Sequence, residues 1–446
     1  MLPSAAVHGT TITARSGGAR RRFPAAAVLA AGTALVLAGC SGQSGNARVD
    51  TADAGGDGTL RIGLILDNTG KQSFLNASQL AAAKLAVEEI NAAGGHKGRP
   101  VELLPAEIGE DTIARAKELV AAKADVVIGP TDSSRAPGAI DVLARAKVAM
   151  ISPANSAHGL SRYRSGGYYF RTSAADVAQA PVLVKLAKDG GARTLTVVHE
   201  EGSYGKDVSV AVAAAAKAAG LGIVADAEFA PGQTQQAAAA TKAAGPDAVI
   251  LVARSGAQGA IAELNNEGLA GKKLVLSDGA INQYGSALGS NALDGARGIL
   301  PGVFPSAHFQ AELVAVDPAL QDMTFAAETY DAVNLAAIAA AAAQDDAGSS
   351  IAAKLISVSG GSAKSGGTVP SAAAGAPADA ASVCKNYREC VDAIKAGKPA
   401  DYDGESGRVG FDDNGDVTSA NYMVFTYGPD NKARMSGSET AARTGG

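Results

Sequence analysis

The chain predicts an α/β fold of two similar lobes, each a parallel sheet with helices on both faces. Two observations carry this reading. Short apolar runs of strand length alternate with amphipathic runs of helix length, the pattern of parallel strands buried on both sides. The alternation also comes as two series, separated near residues 172–180. In the first series, 60–66 is the opening strand. Residues 78–93 form a helix with Leu80, Ala83, Leu85, Val87 and Ile90 apolar, stopped by Gly94-Gly95 as a glycine C-cap. Strand 101–104, helix 113–123, strand 125–129, helix 134–146 and strands 148–151 and 168–171 complete it. The second series runs through strand 194–199, helix 205–219, strand 223–229, helix 234–244, strand 248–253, helix 257–267 and strand 273–277. Beyond 298–303 the pattern changes. A helix over 323–343 carries Phe325, Tyr330, Val333, Leu335 and Ile338, and a second helix covers 350–356. Residues 357–382, rich in Gly, Ala and Ser, read as a mobile surface loop, and 409–411 and 422–427 as late strands. Between those strands, 412–416 (Asp-Asp-Asn-Gly-Asp) is a hairpin turn; a calcium loop would need glycine at its sixth position and glutamate at its twelfth.

Composition narrows the function classes. The 446 residues are 47% hydrophobic and 19% charged, with a net charge of -5. That balance leaves no basic footprint for nucleic acid. Arg15, Arg20, Arg21 and Arg22 precede an uncharged run over 25–37 that ends in Leu37-Ala38-Gly39-Cys40. A basic head, a short apolar stretch and small residues at its end make a secretory signal peptide over 1–39. It is too short for a spanning helix, which takes roughly 20 apolar residues. Arg20-Arg21-Arg22-Phe23 also fits a twin-arginine signal, so both export routes stay open. Leu-Ala-Gly-Cys resembles the lipobox of bacterial lipoproteins, which implies lipidation at Cys40 and a mature chain held outside the cytoplasm on a bacterial cell membrane. Residues 40–58 then read as a flexible tether. Cys384 and Cys390 remain, a pair fit for a disulfide in an oxidising compartment. A zinc site there would need further ligands, and no histidine follows His308.

The motifs of the common enzyme classes are absent. The chain has no Gly-x-Ser-x-Gly elbow and no phosphate loop, and Gly56-Asp57-Gly58 precedes a strand instead of following one. The histidines at 8, 96, 158, 199 and 308 show no ligand spacing. These absences predict a protein that is not an enzyme, without metal or cofactor. In open parallel sheets, ligands sit beyond the carboxyl ends of the strands. Two loops there are polar, 130–134 (Pro-Thr-Asp-Ser-Ser) and 152–156 (Ser-Pro-Ala-Asn-Ser). Free N–H groups and hydroxyls at a helix start suit a carboxylate. Ser133 and Ser156 fit equally as simple N-caps.

The run Leu60 to Asp67, Glu88, Ile90, Asn91, Gly94-Gly95, Val127-Ile128-Gly129-Pro130, Ile151-Ser152-Pro153, 199–205 (His-Glu-Glu-Gly-Ser-Tyr-Gly) and 402–407 (Tyr-Asp-Gly-Glu-Ser-Gly) resembles one family in order and spacing. It is that of the branched-chain amino-acid-binding (Leu/Ile/Val-type) solute receptors of ABC transporters, with the type I periplasmic binding protein fold. The resemblance covers about residues 59–430. It implies two Rossmann-like lobes joined by a three-stranded hinge, with 59–173 and 302–408 in lobe 1, 174–301 and 409–430 in lobe 2, and 431–446 a C-terminal tail. By position, Ser133, Ala154 and Ser156 hold a ligand α-carboxylate through hydroxyls and backbone N–H groups. Asp278 pairs with the α-ammonium, Tyr204 covers the ligand, and Phe74 and Leu75 lie in a lobe 1 loop that shields the side-chain pocket. The chain departs from leucine-type receptors at Val252-Ala253-Arg254-Ser255. Arg254 turned inward would favour an acidic or polar ligand; turned outward, it is a surface arginine. The expected protein is a monomeric, lipid-anchored receptor that hands an amino acid or related small polar molecule to the permease subunits of an ABC importer. The alternative is a ligand sensor of the same fold that signals to a membrane partner.

Overall fold

The computed structural model describes residues 46–48, 55–361 and 382–442. The signal peptide, Cys40, most of the tether and most of the loop expected over 357–382 lie outside the described residues.

The first series folds as β1 (Arg61–Leu64), α1 (Phe74–Ala92), β2 (Glu102–Leu103), α2 (Thr112–Ala121), β3 (Val126–Ile128), α3 (Ala136–Arg145), β4 (Ala149–Ser152) and β5 (Tyr169–Arg171). Its sheet is parallel throughout, in the order β2-β1-β3-β4-β5. The second series gives α4 (Ala180–Asp189), β6 (Thr194–Glu200), α5 (Ser203–Ala219), β7 (Gly222–Phe229), α6 (Gln235–Ala244), β8 (Ala248–Val252), α7 (Ala257–Asn266), β9 (Leu274–Leu276) and β10 (Arg297–Pro301). The chain then returns to the first lobe with α8 (Ala307–Val316), α9 (Ala326–Ala343) and α10 (Gly348–Val358). A small sheet of β11 (Ser382–Cys384), β12 (Ala400–Gly404) and β13 (Gly407–Arg408) follows, with α11 (Tyr387–Lys395) inserted in it. Last come β14 (Ser419–Tyr427) and β15 (Ala433–Ala442), which extend the second sheet to β15-β14-β10-β9-β8-β6-β7. Strands β10 to β7 are parallel, while β14 and β15 are antiparallel additions.

Each sheet has its own core. Leu60, Ile62 and Leu64 of the first pack against Val333, Leu335 and Ile338 of α9, so the long helix expected over 323–343 closes lobe 1. Leu195, Val197, Ile250 and Val252 of the second pack with Val208 and Val212 of α5 and Leu183 of α4. Three stretches cross between the sheets: 172–179 after β5, 302–306 after β10, and 409–418 before β14.

Several elements differ from the sequence reading. Helix α1 begins at Phe74, so Phe74 and Leu75 form its first turn instead of a loop. Helix α4 is an element that the sequence reading does not place; Ala180, Leu183, Val184 and Ala187 form its buried face, and Pro181 in its first turn fixes its start. Helix α11 lies within the segment expected only as a disulfide loop. Asn386 caps it by accepting from the N–H of Glu389 (3.0 Å), and the Cys384–Cys390 disulfide ties its first turn to β11. Residues 409–411 form no strand, since β13 ends at Arg408 and only an isolated Phe411–Val417 bridge follows. The segment expected as a tail forms β15 over 433–442. Its polar composition suits a sheet edge with one face in solvent.

Candidate ligand cleft

The lobe 1 face of the cleft is built from the carboxyl ends of β1, β3 and β4. Gly129 ends β3 at φ +104°, and a Cβ there would collide with the Ile65 carbonyl. The loop after it is therefore restricted to glycine at this point. Buried Asp67, just past β1, accepts from the N–H groups of Thr131 (2.8 Å) and Asp132 (3.1 Å). Asn155 donates to the carbonyls of Pro130 (3.1 Å) and Thr131 (3.0 Å), which joins this loop to the next. Behind them the fully buried Arg171 forms a 2.7 Å ion pair with Asp416. It also donates to the carbonyls of Asn155 (3.2 Å) and Ala157 (2.9 Å) and to the Ser161 hydroxyl (2.7 Å).

This face largely satisfies itself. The Ser133 hydroxyl accepts from the N–H groups of Ser156 (3.1 Å) and Ala157 (3.2 Å). Ser152 Oγ accepts from those of Ala154 (3.3 Å) and Asn155 (2.9 Å). The N–H groups expected to face a carboxylate at Ala154 and Ser156 are thus turned into the loop. The Ser133 hydroxyl is left to donate, while the Ser156 hydroxyl bonds the Asp176 carboxyl.

The lobe 2 face is a charged cluster. Asp278 follows β9 and accepts from the Tyr204 hydroxyl and from Gln179 Nε2 (2.8 Å), while its own N–H donates to Gln179 Oε1 (3.2 Å). Tyr204, at the start of α5, also bonds Ser277 Oγ at 3.0 Å. Burial, then the Asp278 charge, pushes the Tyr204 phenol well above its ordinary range. Arg254 stacks on the Tyr204 ring, 4.0 Å from its centroid, and approaches buried Asp176 at 3.4 Å. Burial and the neighbouring Asp278 charge push the Asp176 carboxyl up to about 6, against the pull of Arg254. Glu200, at the end of β6, accepts from the N–H groups of Arg254 (2.7 Å) and Gly256 (3.0 Å) and from the Ser255 hydroxyl (2.6 Å). Burial raises the Glu200 carboxyl, but these donors outweigh it and hold the group below its ordinary value.

Between the faces lies a cavity of about 460 Å³. Ala154 and Ser156 line it from lobe 1 and Asp278 from lobe 2, with Thr172, Pro301 and Ala420 from the crossing stretches and strands beside it. Three of the eight expected ligand residues therefore meet there. Ser133 and Tyr204 stand one hydrogen bond behind the lining, on Ser156 and Asp278 respectively. Arg254 does not line it: its side chain is 53% exposed and held by Tyr204 and Asp176. Phe74, 47% exposed, and buried Leu75 are likewise outside the lining. The sequence reading missed Asp176, Gln179 and Glu328. Glu200, part of the 199–205 motif but given no role there, closes an apolar strand before Gly202. Among the described residues no group of three or more His, Cys, Asp or Glu is placed to hold a metal ion. None of their helices is long and apolar enough to cross a membrane.

Comparisons with known proteins agree with this architecture. The family model described as periplasmic binding protein matches residues 59–385. The Leu/Ile/Val-binding protein BraC3 of Rhizobium johnstonii is 30% identical over 242 residues, which are 53% of this chain and 66% of that protein. The leucine-, isoleucine-, valine-, threonine- and alanine-binding protein of Pseudomonas aeruginosa is 31% identical over 36% of this chain and 44% of its own length. The chain thus spans about half to two thirds of the length of these curated relatives. Among solved structures, the substrate-binding protein LivJ of Streptococcus pneumoniae, in complex with isoleucine, has a TM-score of 0.57 at 21% identity, covering 86% of this chain and 100% of that one. A solute-binding protein of an ABC transporter from Rhodopseudomonas palustris, in complex with p-hydroxybenzoic acid, has a TM-score of 0.59 at 17% identity, covering 86% and 98%. With two α/β lobes around a cleft and a family match over most of its length, the chain belongs to the periplasmic binding protein family, whose members bind solutes instead of transforming them.

Proposed function

We propose that this protein is the extracytoplasmic receptor of an ABC importer, anchored through lipid on Cys40, which captures an amino acid or closely related zwitterion between its lobes. One observation carries the reading: Ser156 and Asp278, from opposite lobes, line one cavity of about 460 Å³, within the range of small-molecule sites. A ligand carboxylate would accept from the Ser156 hydroxyl, with Ser133 holding the Ser156 N–H from behind, while its ammonium would face Asp278. Drawing the lobes together removes water, which strengthens both charge-assisted contacts. Tyr204 and Gln179 hold the Asp278 carboxylate in place. Arg254 pairs with Asp176 outside the cavity lining, and Asp278 is the lobe 2 carboxyl that faces the cavity. Acting as a monomer, the receptor would present the closed form to the permease subunits.

Titration calorimetry against the common amino acids tests the reading directly: at least one should give heat, and Asp278→Asn should weaken it. Cys40→Ser should move the protein from the membrane fraction to the soluble one; continued attachment would refute the anchor. A second reading, an aromatic carboxylate ligand, is favoured by the structural relatives solved with benzoates. It leaves the Asp278 carboxylate facing an anionic ligand with no ammonium to meet it.

A further inference from the structure

Glu328 lies in the first turn of α9 and lines the same cavity, beside Met323, Phe325 and Ala327. Three features mark its surroundings. Phe325, just before the helix, is held at φ +62°, a left-handed conformation rare for a bulky residue. The Thr172 hydroxyl donates to the Glu328 carbonyl at 2.8 Å. Gly302, across the crossing stretch, has φ +101°, and a Cβ there would stand 3.2 Å from Glu328 Oε1. Among the described residues no Lys, Arg or His forms an ion pair with Glu328. The charged neighbour that acts on it is Asp331, another anion, and burial with that charge pushes the Glu328 carboxyl up to about 7.

The charged side chains lining the cavity are Asp278, Glu328 and the exposed Arg408. We propose that Glu328 is a specificity-determining residue that pairs with a cationic group at the far end of the ligand, so that the receptor takes a basic amino acid, with an ammonium or guanidinium on its side chain. The proposal rests on the preceding reading, in which Asp278 takes the α-ammonium. An aliphatic side chain closed over Glu328 would strip water from a carboxylate and give it nothing in return. A side-chain cation supplies the missing partner through a charge-assisted contact. Arg254, the residue that would have favoured an acidic ligand, is spent on Tyr204 and Asp176.

Calorimetry on the full chain with lysine, ornithine, arginine, leucine, glutamate and benzoate tests this, at pH 6, 7 and 8 and in buffers of different ionisation enthalpy. At least one basic amino acid should bind about 30-fold more tightly than leucine, a gap expected when a buried charge gains or lacks its partner. Its affinity should rise about tenfold from pH 6 to pH 8, because the ionised carboxylate is the binding form. At pH 7 binding should release about half a proton to buffer. Asp176 and Asp331, each near 6, add pH dependence mainly below this window; Asp278 and Arg408 share the cavity. Glu328→Gln should cost the basic ligand about 30-fold, leave leucine unchanged or improved, and abolish the proton release. A wild type that prefers leucine, or a basic ligand that binds without proton release, would overturn the role of Glu328 and leave the amino-acid reading standing. Heat from benzoate with none from any amino acid would overturn both.

Discussion

The two faces of the cleft are built on opposite plans. On lobe 1, the loops after β3 and β4 spend nearly every donor on each other: Ser133 and Ser152 take up four backbone N–H groups, and Asp67 takes two more. On lobe 2, Asp278, Asp176 and Arg254 crowd their charges around Tyr204, and one carboxyl is held far from its ordinary value. The first face is a rigid frame whose identity is backbone geometry. The second is an electrostatic device whose neutralisation is left to a ligand. Selectivity should therefore respond to changes on lobe 2 and at the start of α9, whereas changes in the lobe 1 loops after β3 and β4 should act first on stability.

Arg171→Ala gives the largest break with that division. It leaves Asp416 buried without its cation and removes the support under Asn155 and Ala157. The expected loss is about 3–5 kcal/mol, read by urea unfolding; a loss under about 1 kcal/mol would mean the lobe 1 frame stands without it. Asp278→Asn should lower amino-acid affinity by about 2 kcal/mol or more with the unfolding midpoint little changed. An equal loss of stability would make Asp278 part of the scaffold. Tyr204→Phe removes the hydroxyl on Asp278 and should cost about 1 kcal/mol of binding, visible as a faster off-rate.

A further effect, read as a pH dependence of stability, concerns Asp176. Its carboxyl sits near 6 in the folded chain against 3.8 ordinarily. The folded state therefore binds more protons between those values, and stability falls as pH rises from about 4 to about 6. Asp176→Asn removes that fall. The melting temperature of the variant should exceed that of the wild type above pH 6 and converge on it below pH 4. Parallel curves would show that Asp176 does not titrate in this range.

Much of the lobe architecture was legible because buried parallel strands are short apolar runs. Expected 125–129 and 248–253 became Val126–Ile128 and Ala248–Val252. Helix α8 escaped because only Phe309 and Leu313 of its ten residues are buried. Its cap, with Ser306 accepting from the N–H of Phe309 at 3.1 Å, was the available signal. Polar β15 is a strand because β14 offers it an edge, a long-range fact that no local pattern contains. The site divides in the same way. Asp278 was visible as an acid ending an apolar strand. Glu328 was not, because glutamate in a first helical turn is favoured by the helix dipole alone, and only the fold turns it toward a cavity. The inward or outward choice for Arg254 likewise depended on Asp176, which lies 78 positions away.

Parallel calorimetric titrations of wild type and Asp278→Asn, with the amino-acid panel and with benzoate, test the two-lobed grip on a zwitterion most directly. Heat from an amino acid that is lost on blocking its α-amine and weakened at least tenfold by the substitution is the expected result. Binding that tolerates an acylated amine, or is indifferent to residue 278, would contradict it.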